Sequence, residues 1–182
     1  MIKAMNDAEK DAAFRVADSM CAAAHTAPKA NGLDKIVTAI VSGEDIEILA
    51  KEMEIAGREY GLEFFIRDAD NIRNSHCVVL IAAKASPSGV PHCGMCGFAD
   101  CAEMSRADAC CSFSATDLGI AIGSAVSLAA DNRIDNRVMY SIGRSALRLK
   151  LFAENVKLCY GIPLSTKAKS NYFDRAPGSV LL

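Results

Sequence analysis

Helical and strand-like periods alternate along this chain, and their order predicts an α+β domain, a three-layer α/β arrangement of one central sheet between flanking helices. Three observations carry that expectation. Amphipathic stretches with apolar residues at helical spacing recur through the sequence. Short β-branched runs lie between them, and one of these, Cys77-Val78-Val79-Leu80-Ile81-Ala82-Ala83, is apolar without a break, as in a strand covered on both faces. Residues 84–114 show no period at all and are crowded with cysteine. One domain over residues 1–182 is expected, with 84–114 as an irregular insert within it.

The first helix is expected over residues 6–25, where Phe14, Ala17, Cys21 and Ala24 share a face among charged residues. Pro28, Asn31 and Gly32 end it in a loop. Lys35 to Val41 reads as a strand. Ser42-Gly43-Glu44-Asp45 then starts a helix that runs to about Tyr60, with Ile46, Leu49, Met53 and Ala56 as its apolar face. A short helix is expected near Ala69 to Asn74, then the buried strand Cys77 to Ala83. Lys84 to His92, with Pro87, Gly89 and Pro91, is a linker, and Cys93 to Phe113 is an irregular stretch organised by whatever its thiols hold. Thr116 or Asp117 suits the cap of the next helix, which buries Leu118, Ala121, Ala125, Leu128 and Ala129. Gly119 and Gly123, four apart, suit close packing against a neighbouring helix or approach to a cofactor. A helix over Val138 to Phe152 and a strand over Val156 to Gly161, stopped by Ile162-Pro163, complete the core; the tail from Leu164 is irregular.

Composition narrows the function. Of 182 residues, 51% are hydrophobic, enough for a core without disulfide staples. A net charge of −2 leaves no electrostatic footprint for nucleic acid or an anionic membrane, and the lack of tryptophan argues against base stacking. The first eleven residues carry acids and no apolar core, so no signal peptide is expected, and the longest apolar runs are too short for a bilayer. These features point to a cytoplasmic chain with neither a membrane nor a nucleic-acid partner, in a compartment where clustered thiols hold metal more readily than they pair.

Five of the eight cysteines fall between residues 93 and 111. Their pattern is C-x2-C-x4-C, followed by Cys110 and Cys111. Two intervening residues let Cys93 and Cys96 converge on one centre, while Gly94 and Gly97 relax the backbone where amides approach sulfide. Cys101 supplies a third ligand, and Cys110 or Cys111 the fourth. Zinc sites usually pair two C-x2-C units, and only one is present, so the spacing favours a [4Fe-4S] cluster over zinc. His92 flanks the first ligand but is not needed. Cys21, Cys77 and Cys159 sit among Ala, Val and Leu and read as core residues. His25, His76 and His92 have no partner pattern and receive no catalytic role.

The run Cys93-Gly94-Met95-Cys96-Gly97-Phe98-Ala99-Asp100-Cys101 resembles the CGxCGxxxC four-iron motif of Rnf-type electron-transport subunits and corrinoid iron–sulfur proteins, although their fourth ligand lies further away. The chain as a whole resembles the uncharacterised prokaryotic proteins containing a ferredoxin domain, common in anaerobes. That likeness includes Asp117 to Ala125, Asp135 to Tyr140 and Gly161 to Ser165. It implies Cys111, within Cys111-Ser112-Phe113, as the fourth ligand, with Cys110 as the alternative. The order of elements also resembles the nitroreductase fold, a three-layer α/β/α arrangement that holds FMN across a dimer interface. This resemblance implies Lys29 and Asn31 near a flavin, Lys169 and Arg175 at its phosphate, and a homodimer. The arginine pairs those enzymes carry near their start are missing here; Arg15 alone lies in the first helix. The alternative is an ordinary loop and solvated tail charges.

The expected function is that of a cytoplasmic redox protein passing single electrons between a [4Fe-4S] cluster and a flavin or partner protein. Two alternatives stand beside it: a non-enzymatic module stapled by zinc or an iron–sulfur centre, and a sensor of oxygen or iron. No side chain stands out as acid, base or nucleophile.

Overall fold

The computed structural model describes residues 2–173. Strands β1 (Ile36–Val41), β2 (Cys77–Lys84), β3 (Asp135–Asn136) and β4 (Val156–Ser165) form one antiparallel sheet in the order β1-β2-β4-β3. Helices α1 (Met5–Thr26) and α5 (Ser112–Asp131) cover one face; α2 (Glu44–Tyr60), α3 (Glu63–Arg73) and α6 (Tyr140–Arg148) cover the other. The short helix α4 (Cys101–Arg106) belongs to the insert.

The pleat of β2 explains the three layers. Cys77, Val79, Ile81 and Ala83 face α1 and α5, while Val78, Leu80 and Ala82 face α2, α3 and α6. A strand with helices on both faces has no reason to alternate polar and apolar residues, so the unbroken run is its signature even in an antiparallel sheet. On the α1/α5 side, small residues (Ala17, Ala24, Ala121, Ala125) let the helices approach, and the Ser124 hydroxyl donates to the Ala23 carbonyl at 3.0 Å. On the other side α6 lies almost on the backbone of β4. A β-carbon at Gly143 would stand 1.9 Å from the Cys159 carbonyl oxygen, and one at Gly161 would stand 2.1 Å from Ile142.

Several boundaries differ from the sequence expectations. Helix α5 begins at Ser112 with Cys111 as its N-cap, rather than at Thr116 or Asp117. Asp117 is buried inside it, its carboxylate accepting the Ala30 N–H at 3.0 Å. Helix α3 starts at Glu63, six residues before the expected Ala69. Its charged Asp68 hides that periodicity, because this carboxylate is buried and satisfied by the Ser141 hydroxyl at 2.6 Å and by Arg67. Helix α6 is confined to Tyr140–Arg148, since Met139 pairs with Gly161 as an extended residue.

Strand β4 continues through Pro163 to Ser165. Gly161 exchanges both backbone bonds with Met139, so by strand alternation Pro163 also turns its missing N–H towards that edge. Residues 137 and 138 leave the ladder there, and no donor is wanted. The stretch after β4 is irregular, as expected, but not loose: Tyr172 is fully buried, with its hydroxyl 2.6 Å from Ser75, and its carbonyl accepts from Arg137 at 2.8 Å. Among the described residues α5 alone has the length and apolar composition of a membrane span. Here Leu118, Ala121, Ala125 and Ala129 of that helix belong to the globular core.

Candidate metal centre

The insert leaves the end of β2 and returns at the start of α5, and backbone bonds pin its two ends together. Lys84 N–H donates to the Lys35 carbonyl at 3.0 Å, Ala85 N–H to Asn155 at 2.9 Å, and Cys111 N–H to Ala85 at 3.5 Å. Between these pins the chain turns sharply. Gly94 and Gly97 adopt φ of +60° and +84°, where a side chain would strain the backbone, and Gly97 N–H closes a turn on the Gly94 carbonyl at 2.9 Å. That turn folds the chain between Cys93 and Cys96. Cys101 opens α4. Asp100 caps this helix by accepting the Glu103 N–H at 2.7 Å, while Glu103 accepts the Ala99 N–H at 2.8 Å.

The result is a cavity of about 300 Å³ whose wall includes Cys93, Cys96, Cys101 and Cys111. Met95, Phe98, Met104 and Phe113 supply much of its apolar lining. Cys110 is absent from that wall, and its thiol donates instead to the Cys111 carbonyl at 3.6 Å. Cys111 is buried, whereas the other three lining thiols are half-buried, so one side of the cavity lies near the surface.

The electrostatics separate the two adjacent thiols. Burial pushes Cys110 up, the charge of Cys111 adds to this, and Lys157 and Lys35 only partly oppose it. Burial also works against ionisation of Cys111, but there hydrogen bonds prevail. The Ser88 hydroxyl lies 3.6 Å from its sulfur, backbone amides of Phe113 and Ser114 at the start of α5 add to it, and the thiol is held below its ordinary value. Among the described residues, no three His, Cys, Asp or Glu side chains converge on one ion position.

Of the residues expected at a flavin, Lys29 and Asn31 lie together in the loop after α1. The Lys29 ammonium is engaged at the C-terminus of α1, donating to the carbonyls of Ala24, His25 and Ala27. Asn31, at φ +55°, donates its side-chain amide to the Ser88 carbonyl at 3.0 Å. Lys169 is exposed, and Arg175 lies outside the described residues. The Pro28–Gly32 loop is therefore a strut between α1 and the insert, held from below by Asp117.

Two residues that the sequence analysis does not single out stand at the cavity: Ser88 is part of its wall, and Lys35 backs Ser88. Lys35, read there as the first residue of a strand, is 4% exposed; Ser88, read as linker, is 6% exposed. The Lys35 ammonium donates to the Ser86 carbonyl at 2.8 Å and to the Ser88 hydroxyl at 2.7 Å. No local pattern marks them, since 53 residues separate the pair.

Comparison with known proteins agrees with this architecture. A family described as "Uncharacterized protein containing a ferredoxin domain" matches residues 107–175, a stretch that includes Cys110 and Cys111 but begins after Cys101. An uncharacterised protein of Archaeoglobus fulgidus is 42% identical over 180 residues, covering 94% of each chain. Among solved structures, the nitroreductase CinD from Lactococcus lactis in complex with nicotinic acid aligns with a TM-score of 0.62 at 12% identity, over 86% of this chain and 80% of that one. A putative nitroreductase in complex with FMN from Desulfovibrio desulfuricans aligns with a TM-score of 0.58 at 13% identity, over 92% and 82%. At such identities the likeness establishes a nitroreductase-like three-layer α/β/α fold and leaves the chemistry open.

Proposed function

The chain belongs to the family of uncharacterised proteins containing a ferredoxin domain, and on that footing we propose that residues 84–114 form an iron–sulfur insert through which it exchanges single electrons with a redox partner. Cys93, Cys96, Cys101 and Cys111 are its ligands. The observation that carries this reading is that these four thiols share one cavity while the neighbouring Cys110 is turned away from it. A bound [4Fe-4S] cluster would supply one-electron chemistry there. The protein's part is to hold four thiolates, to shield one side with Met104 and Phe113, and to leave the half-buried Cys93, Cys96 and Cys101 near the surface, within reach of a docked partner.

FMN is the second cofactor this fold suggests, because structural relatives carry it. Of the donors expected for it, Lys29 and Asn31 make hydrogen bonds within their own chain, to the end of α1 and to the insert. A homodimer remains part of the proposal. The outer face of α5, with Ala115, Gly119, Ile120, Gly123 and Ala130 exposed, carries no charge between Asp117 and Asp131 and suits a second copy. A cytoplasmic location accords with thiols kept reduced for metal.

Anaerobic purification with ample iron tests the centre. About four irons and four sulfides per chain, and broad absorption near ~400 nm bleached by dithionite, are expected. Cys111→Ser should lose most of the iron, and Cys110→Ser should keep it. Zinc in a colourless protein would favour a structural staple, and yellow colour released on denaturation would identify flavin. Wild-type protein holding neither iron nor sulfide ends the iron–sulfur reading.

A further inference from the structure

Lys35 is a buried cation with no ion pair to a carboxylate among the described residues. Its two acceptors are neutral oxygens, from the Ser86 backbone and the Ser88 side chain. Burying an ammonium against neutral groups alone costs several kcal/mol, and such charges persist where an anion lies close by. Beyond Ser88 lies the Cys111 thiol, which takes that role when ionised. The hydrogen-bond geometry also fixes the direction of the chain of contacts. An ammonium only donates, so the Ser88 oxygen must accept from Lys35 at 2.7 Å. Its own proton is then free for the remaining neighbour, the Cys111 sulfur at 3.6 Å. Ser88 therefore donates to Cys111, and donation to sulfur is strongest when that sulfur is anionic.

Resting on the iron–sulfur reading above, we propose that Lys35 and Ser88 are positioning residues that set the reduction potential of the centre through Cys111. A cluster held by four thiolates carries a net negative charge, larger after it accepts an electron. A buried cation and a hydrogen bond to a ligand sulfur both favour the more negative state, and so raise the potential. Asn31 holds this relay in place from the other side, through the Ser88 carbonyl at 3.0 Å. The strut after α1 thus braces the insert. The arrangement also accounts for a lysine at the head of β1, where an apolar residue would bury more cheaply.

The experiment is a redox titration of the reconstituted protein, followed by electron paramagnetic resonance, for wild type, Lys35→Met and Ser88→Ala. Both variants should hold the wild-type complement of iron and sulfide and shift to more negative potential. In Ser88→Ala the Fe–S(Cys) stretching bands in resonance Raman should move to higher frequency, because a ligand sulfur has lost a donor; a merely structural role would leave those bands in place. If Lys35→Met fails to fold or load, Ser88→Ala decides alone, since it removes a single oxygen. Unchanged potentials and unchanged bands in a loaded Ser88→Ala protein overturn the assignment while leaving the iron–sulfur reading intact. A wild type that binds no iron or sulfide overturns both, and this is seen before any variant is made.

Discussion

The cysteines of this chain lie in different surroundings, and these decide how each thiol behaves. Cys77 and Cys159 are buried in the core on opposite faces of the sheet, and burial pushes each from an ordinary 9.0 up to about 12. Both stay protonated in the folded protein well above the pH at which the unfolded chain ionises. The unfolded state therefore binds fewer protons between about pH 9 and 12, and stability falls as pH rises through that window, by up to about 1.4 kcal/mol per pH unit for each thiol. Denaturant midpoints from pH 8 to 11 should show this fall, and Cys77→Ala with Cys159→Ala should flatten it. A slope unaffected by the double change would place the alkaline sensitivity elsewhere. That Cys93, Cys96 and Cys101 lie close together is legible from sequence because their spacing is local: C-x2-C folds back on itself. Lys35 and Ser88 are not. They meet only because β1 pairs with β2 and brings residue 35 beside the start of the insert.

Glycine and proline decide how the elements meet. Gly143 lets α6 rest against the Cys159 carbonyl, and neither partner is a flexible side-chain tip that can move aside. Gly143→Ala is expected to destabilise by about 3 kcal/mol, the upper end for overpacking, because backbone must yield. Urea unfolding measures it, and a change under about 0.5 kcal/mol, the ordinary size for a surface site, would show that α6 shifts freely. Helix existence was legible for α1, α2 and α5, whose apolar residues recur at clear spacing. Ends were less so. The sequence pattern puts the start of α5 too late, because Ser112-Phe113-Ser114 looks like loop and Cys111 is an unusual cap. Pro163 looked like a stop, yet the strand passes through it where the neighbouring edge is already broken.

For the molecule as a whole the open question is what covers α5. Gly119 and Gly123 suit close packing against a neighbouring helix or approach to a cofactor; within the described residues, added β-carbons at both meet nothing within 4 Å. Their bareness makes sense if a second copy lies against that face. Gly119→Glu should then convert a dimer to a monomer by light scattering after gel filtration, with unchanged circular dichroism, since nothing in the chain opposes the new side chain. A wild type that is monomeric at micromolar concentration would remove this proposal. Much of the core is readable from hydrophobic period, because burial against a sheet imposes that period on any helix or strand that joins it, whereas the α/β/α layering is implied by the likeness to the nitroreductase fold. Which thiol of the Cys110-Cys111 pair faces inward depends on how α5 is capped. What stands behind that thiol depends on strand pairing across half a hundred residues, and long-range contacts of this kind leave no period in a chain, only a geometry once it has folded.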